Sequence, residues 1–110
     1  MIIASLKVKV SPENHQDALK TVRSMIGPTR VKPGCKGIVF CQDTDDPDTM
    51  ILIERWHTRK DFEDHIRSDE YRRILALIDL STEPPEIQLN QISQTEGLEA
   101  IEGIRAKPLS

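Results

Sequence analysis

Apolar and polar positions alternate along the first strand of the chain. In residues 2–10, Ile2, Ala4, Leu6, Val8 and Val10 share one face while Ser5, Lys7 and Lys9 share the other, the period of a half-buried strand. The period then lengthens. Ser11 and Pro12 supply an N-cap and a first-turn proline, acidic Glu13 suits the positive end of a helix, and Ala18, Leu19, Val22, Met25 and Ile26 form its apolar stripe. Gly27 and Pro28 interrupt that stripe, so a break is expected there, with Pro28 opening a further short turn through Lys32 before Pro33 and Gly34 end it. Residues 37–42 read as a second strand, with Ile38 and Phe40 on one side and Val39 and Cys41 on the other. A polar turn, DTDDPD, joins it to a third strand that ends in Trp56 and His57.

Thr58, with Asp61 three residues on and Phe62 and Ile66 behind it, has the form of a helix N-terminus. Ser68, Asp69 and Glu70 give a second start signal ahead of Tyr71, Ile74, Leu75 and Ile78, so two short helices or one bent helix follow. Two prolines close that segment, and residues 86–92 alternate as a fourth strand. The order is strand, helix, strand, strand, helix, strand. It predicts an α+β fold of the ferredoxin-like βαββαβ kind, a four-stranded antiparallel sheet with its helices on one face. The second strand is apolar on both sides, which leaves an uncovered face that a twofold dimer would bury. Residues 1–94 therefore form one domain, and residues 95–110, where Leu98, Ile101 and Ile104 recur at intervals of three, form an arm that packs on the body or on a partner subunit.

Composition narrows the class of function. At 110 residues, with 15 basic and 18 acidic side chains, the chain has room for one core and no positive field that would draw it to nucleic acid or an anionic membrane. No apolar run reaches the roughly 20 residues needed to span a bilayer, which makes a cytoplasmic protein the expectation. Cys35 and Cys41, on one extended strand, stand about 20 Å apart at ~3.3 Å per residue, beyond disulfide reach. They read as two reduced thiols. No CxxC motif or matching His interval marks a metal site, and DTDDPD has Pro47 where a calcium loop wants an acidic or amide side chain and Asp48 where it wants Gly.

The segments PTRVKPGCKG, DTDDPD, ILIERWHTRKDFEDHIRSDEY and EPPEIQL, in that order and spacing, resemble the antibiotic biosynthesis monooxygenase family over about residues 2 to 94. The resemblance implies a dimeric ferredoxin-like α+β barrel and a small monooxygenase that oxidises aromatic polyketides or quinols with O2, without bound metal or flavin. It also reaches haem-degrading enzymes. Their axial His would fall at Leu75 and their distinctive Trp at His65, and both departures speak against haem.

Cofactor-free oxygenation needs a base that titrates near neutrality, a donor for the resulting oxyanion, and an apolar pocket. His65, at the border of a buried helix face, is the candidate base, the alternative being a histidine that simply caps the core. Trp56 offers a pocket wall and an indole donor, or is core. Tyr71 orients a substrate hydroxyl or packs. Phe62, Ile66, Leu75 and His15 complete the expected substrate lining, and Glu54 is expected to pair with a lysine or arginine across the dimer. With one Trp, one Tyr and two Phe, the pocket suits a small quinol better than a large planar polyketide. Two rival readings remain open: a non-catalytic module that binds a small metabolite, and a non-redox isomerase in which His65 moves a proton.

Overall fold

A computed structural model describes residues 1–108. Strand β1 is Ile2–Lys9, helix α1 is His15–Arg30, β2 is Cys35–Gln42, β3 is Thr49–Trp56, α2 is Arg59–Ile66, α3 is Tyr71–Asp79, β4 is Glu86–Gln91 and α4 is Leu98–Ala106. The four strands lie in the order β2-β3-β1-β4, antiparallel throughout. This is the ferredoxin-like α+β fold. Register follows the alternation of β1: Ile2 opposes Trp56, Ala4 opposes Glu54, and Leu6 opposes Leu52, all on the helix-covered face.

The main core packs Leu6, Val8, Met50 and Leu52 of the sheet against Ala18, Val22 and Met25 of α1 and Ile74 and Leu77 of α3. A smaller cluster of Ile2, Ala4, Trp56 and Phe62 sits toward the other end of the strands. Glu54 falls on β3 between Leu52 of the first cluster and Trp56 of the second, and is itself buried.

The expected break at Gly27 and Pro28 does not occur, since α1 runs through both to Arg30. Proline has no N–H to give the carbonyl one turn back. That carbonyl, of Ser24, instead accepts a 2.7 Å hydrogen bond from Arg73 Nη1 of α3, so a neighbouring helix satisfies what the proline leaves open. The start of α1 also differs slightly, because a 3-10 turn over Pro12–Asn14 precedes it. At α2 the expected cap is present: Thr58 Oγ1 accepts from the Asp61 backbone N–H at 3.1 Å.

The face of the sheet away from α1 to α3 carries Ile3, Ile51 and Ile53, half-buried, and Val39 and Cys41, exposed. The stripe of α4 is bare too, with Leu98, Ile101 and Ile104 all more than half exposed. No helix among the described residues is long and apolar enough to cross a membrane.

Candidate active site

Three elements bring the central residues together. Strand β3 delivers Glu54 and Trp56 to the helix-covered face, α2 delivers His65, and the connection from α1 to β2 delivers Lys32. Gly34 shapes that connection. Its φ of +82° suits a residue without a side chain, and a Cβ there would collide with the Asp61 carboxylate at the start of α2. The Gly34 carbonyl accepts from the His57 backbone N–H at 2.7 Å, tying the connection to the end of β3.

His65 is 1% exposed, and both of its ring nitrogens are engaged. Nε2 lies 2.7 Å from Glu54 Oε1, and Nδ1 lies 3.1 Å from Lys32 Nζ. An ammonium has no lone pair, so Nδ1 must accept and the ring proton sits on Nε2, where it is donated to the carboxylate. Lys32 Nζ also donates to Ser68 Oγ at 2.6 Å and pairs with Glu70 Oε2 at 3.1 Å, so its three protons are fully used. Ser68 Oγ donates in turn to the His65 carbonyl at 2.6 Å. The Glu54 pairing expected across a dimer is thus made within the chain, to His65, because β3 turns this carboxylate toward α2.

Aromatic rings enclose the imidazole. Trp56 stacks on it with centroids 4.7 Å apart, Tyr71 meets it edge-on at 5.4 Å, and Phe62 tilts against Trp56 at 6.5 Å. Burial, and secondarily the charge of Glu54, raises the Tyr71 phenol above its ordinary range. The Glu70 carboxyl is held below its ordinary range by a hydrogen bond from its own backbone N–H and by Lys32. Trp56 Nε1 is a buried donor without a protein partner among the described residues. Such a donor is costly to leave unmet, and a ligand oxygen would meet it.

Two spaces flank the Glu54–His65 pair. An outer cavity of about 280 Å³ is lined by Lys32, Pro33, Trp56, Asp64, His65, Ser68 and Glu70. An inner crevice of about 20 Å³, enough for one water, lies between sheet and helices and is lined by Leu6, Leu52, Glu54, Phe62, Tyr71 and Ile74. A larger depression of about 420 Å³ lies over β2, between Arg30, Lys36 and Arg55. It holds no neutral base; its thiol, Cys35, is raised above its ordinary range chiefly by burial.

His65, Trp56, Tyr71 and Phe62 of the expected set therefore meet. The other three do not. Leu75 is 49% exposed and Ile66 38%, since Ile74 and Phe62 take the inward positions of their helices. His15 bonds the Val10 carbonyl at 2.9 Å and Asp48 at 2.9 Å, at the far end of β1 and β3, roughly 23 Å from Trp56 at ~3.3 Å per residue. Lys32 was not expected at all. Its only sequence signal is position, immediately before the Pro33–Gly34 turn. Among the described residues, no group of three or more His, Cys, Asp or Glu side chains is placed to hold a metal ion.

Comparison with known proteins agrees with the fold. An antibiotic biosynthesis monooxygenase of known crystal structure matches with TM-score 0.77 at 20% identity, covering 86% of this chain and 100% of that one. A conserved protein of Methanosarcina mazei Go1 matches with TM-score 0.77 at 26% identity, over 82% of this chain and 90% of that one. The protein Rv0793 of Mycobacterium tuberculosis matches with TM-score 0.78 at 20% identity, over 87% and 98%. No curated protein sequence matches. The family description "antibiotic biosynthesis monooxygenase" matches residues 1–77, and the chain belongs to that family.

Proposed function

We propose that this protein is a cofactor-independent monooxygenase that oxidises a small phenolic or quinol-like compound with O2, using the cavity beside His65. The observation that carries the reading is the buried Glu54–His65 pair at 2.7 Å, beside a cavity that His65 and Trp56 both line. His65 is the base. Its Nδ1 removes the phenol proton, and Glu54 holds the imidazolium that results. The Trp56 indole N–H donates to a substrate oxygen, and Tyr71 and Phe62 back the site with apolar surface. Electron transfer from the phenolate to O2 and recombination at an activated ring carbon give a hydroperoxide. Loss of water then leaves the quinone, so that one phenol and one O2 become one quinone and one H2O.

The same proposal includes a homodimer formed through the open sheet face, in a cytoplasmic setting where Cys35 and Cys41 stay reduced. Val39, Ile51 and Ile53 on that face support it, because a monomer would leave them in water. The test of the chemistry is O2 uptake by the metal-stripped protein with 1,4-hydroquinone and simple phenols, corrected for autoxidation. Uptake abolished in His65→Gln and reduced in Trp56→Phe supports the reading. Absence of uptake together with thermal stabilisation by a phenol would identify a binding module or a non-redox enzyme instead.

A further inference from the structure

The imidazole proposed as base is covered. The nitrogen that would take the substrate proton already accepts from Lys32 Nζ at 3.1 Å, so a ligand hydroxyl reaches Nδ1 only when the ammonium yields its place. Apart from His65, Lys32 is the only basic side chain lining the outer cavity among the described residues. The acids around it are mostly committed elsewhere: Asp64 pairs with Lys60 at 2.9 Å, and Asp61 accepts from the Thr58 hydroxyl at 2.9 Å. Glu70 alone competes, as a partner of Lys32 itself at 3.1 Å. The Lys32 side chain is 18% exposed and reaches these groups from a connection held by Gly34, so a small swing moves its charge from the imidazole toward the cavity.

We infer that Lys32 is a catalytic residue that takes up the substrate oxyanion, and that the site binds phenols in their ionised form. This deepens the proposed oxidation and rests on the same cavity. In the step, the phenol O–H bond breaks and the proton forms a bond to His65 Nδ1, while its electron pair stays on the phenolate oxygen. The ammonium leaves Nδ1 and hydrogen-bonds that oxygen. Acid and base are thus served by one exchange: as the imidazole gains its proton, the neighbouring cation leaves it for the new anion, and Glu54 steadies the imidazolium from the other side. Before binding, the same cation and the Glu54 carboxylate together hold the ring in its Nε2–H tautomer, so that Nδ1 carries no proton and its lone pair is taken up by the ammonium alone.

The test uses 4-nitrophenol, whose neutral and ionised forms absorb at different wavelengths. The wild-type protein should bind it as the phenolate at a pH where the free compound is mainly neutral. Lys32→Met should lose roughly tenfold or more in affinity, as expected for one charge-assisted hydrogen bond, and bind only the neutral form. Lys32→Arg keeps the charge and should retain the phenolate signature, which separates loss of function from loss of fold. Nitrogen-15 NMR of the His65 ring should report an unprotonated Nδ1 in the free wild type and a protonated Nδ1 once the phenolate is bound. The inference is overturned if the wild type fails to bind the probe or binds it neutral, or if folded Lys32→Met binds phenolate as tightly as wild type. Phenolate binding without O2 uptake by any phenol would uphold Lys32 as the oxyanion partner and remove the monooxygenase reading.

Discussion

At the scale of single residues, the site depends on a carboxylate and an imidazole that both left water on folding. Glu54 is 4% exposed and His65 1%, and their hydrogen bond compensates for that transfer. Glu54→Ala should therefore destabilise the fold by about 1–3 kcal/mol in urea denaturation, because it strands the His65 N–H, while Glu54→Gln, which keeps an acceptor, should cost less. Tyr71 gives a pH signature. Its folded-state value is raised, so the phenol contributes stability at neutral pH that is lost as pH climbs above the ordinary tyrosine value of about 10, where the unfolded chain ionises first. Alkaline unfolding curves should flatten in Tyr71→Phe. The sequence exposed His65, Trp56 and Tyr71 because residue type and helical spacing mark them. It could not expose Lys32, which meets His65 across 33 positions of chain from a connection with no periodicity. Glu54 was visible as a charge on a buried face, but its partner was assigned to another chain, because strand alternation gives the face and not the neighbour.

At the scale of elements, alternation and caps recovered all four strands and the two helices behind β3, since each declares itself locally. The end of α1 is where local signals mislead. A proline inside a helix costs about 3 kcal/mol in isolation, and that cost presumes an orphaned carbonyl. Here Arg73 answers the carbonyl of Ser24 from a different helix. Two variants test the coupling. Arg73→Ala should destabilise the parent chain by about 1 kcal/mol, and should cost markedly less in a Pro28→Ala background, where the new N–H at position 28 serves the same carbonyl. A double-mutant cycle in urea measures the difference. Additive costs would mean that the arginine and the proline do not share that oxygen. The α3 helix, which carries Tyr71 and Ile74 to the site, is thereby linked to the last turn of α1, from which the Lys32 connection departs.

At the scale of the whole molecule, the open sheet face and the stripe of α4 remain uncovered by the described residues. The apolar second face was legible in the sequence from Val39 and Cys41. The arm was less so, as Gly97 and Gly103 obscure a helix that nevertheless spans Leu98–Ala106. If the sheet face is the dimer contact, Val39→Lys, at a position already 53% exposed, should leave the fold intact and shift sedimentation from dimer to monomer.

The two thiols lie on opposite sides of the sheet. Cys35 packs against the cluster of Ile2, Trp56 and Phe62, whereas Cys41 is exposed on the face with Val39. If the open sheet face is the dimer contact, the chain carries its own chemical clock for assembly: a maleimide should label Cys41 quickly in dilute monomer and slowly as concentration drives the faces together. Cys35, half-buried beside the depression over β2 and away from that face, serves as the second hand of that clock, labelling at a rate that does not change with concentration, so one labelling series reports association without any added reporter.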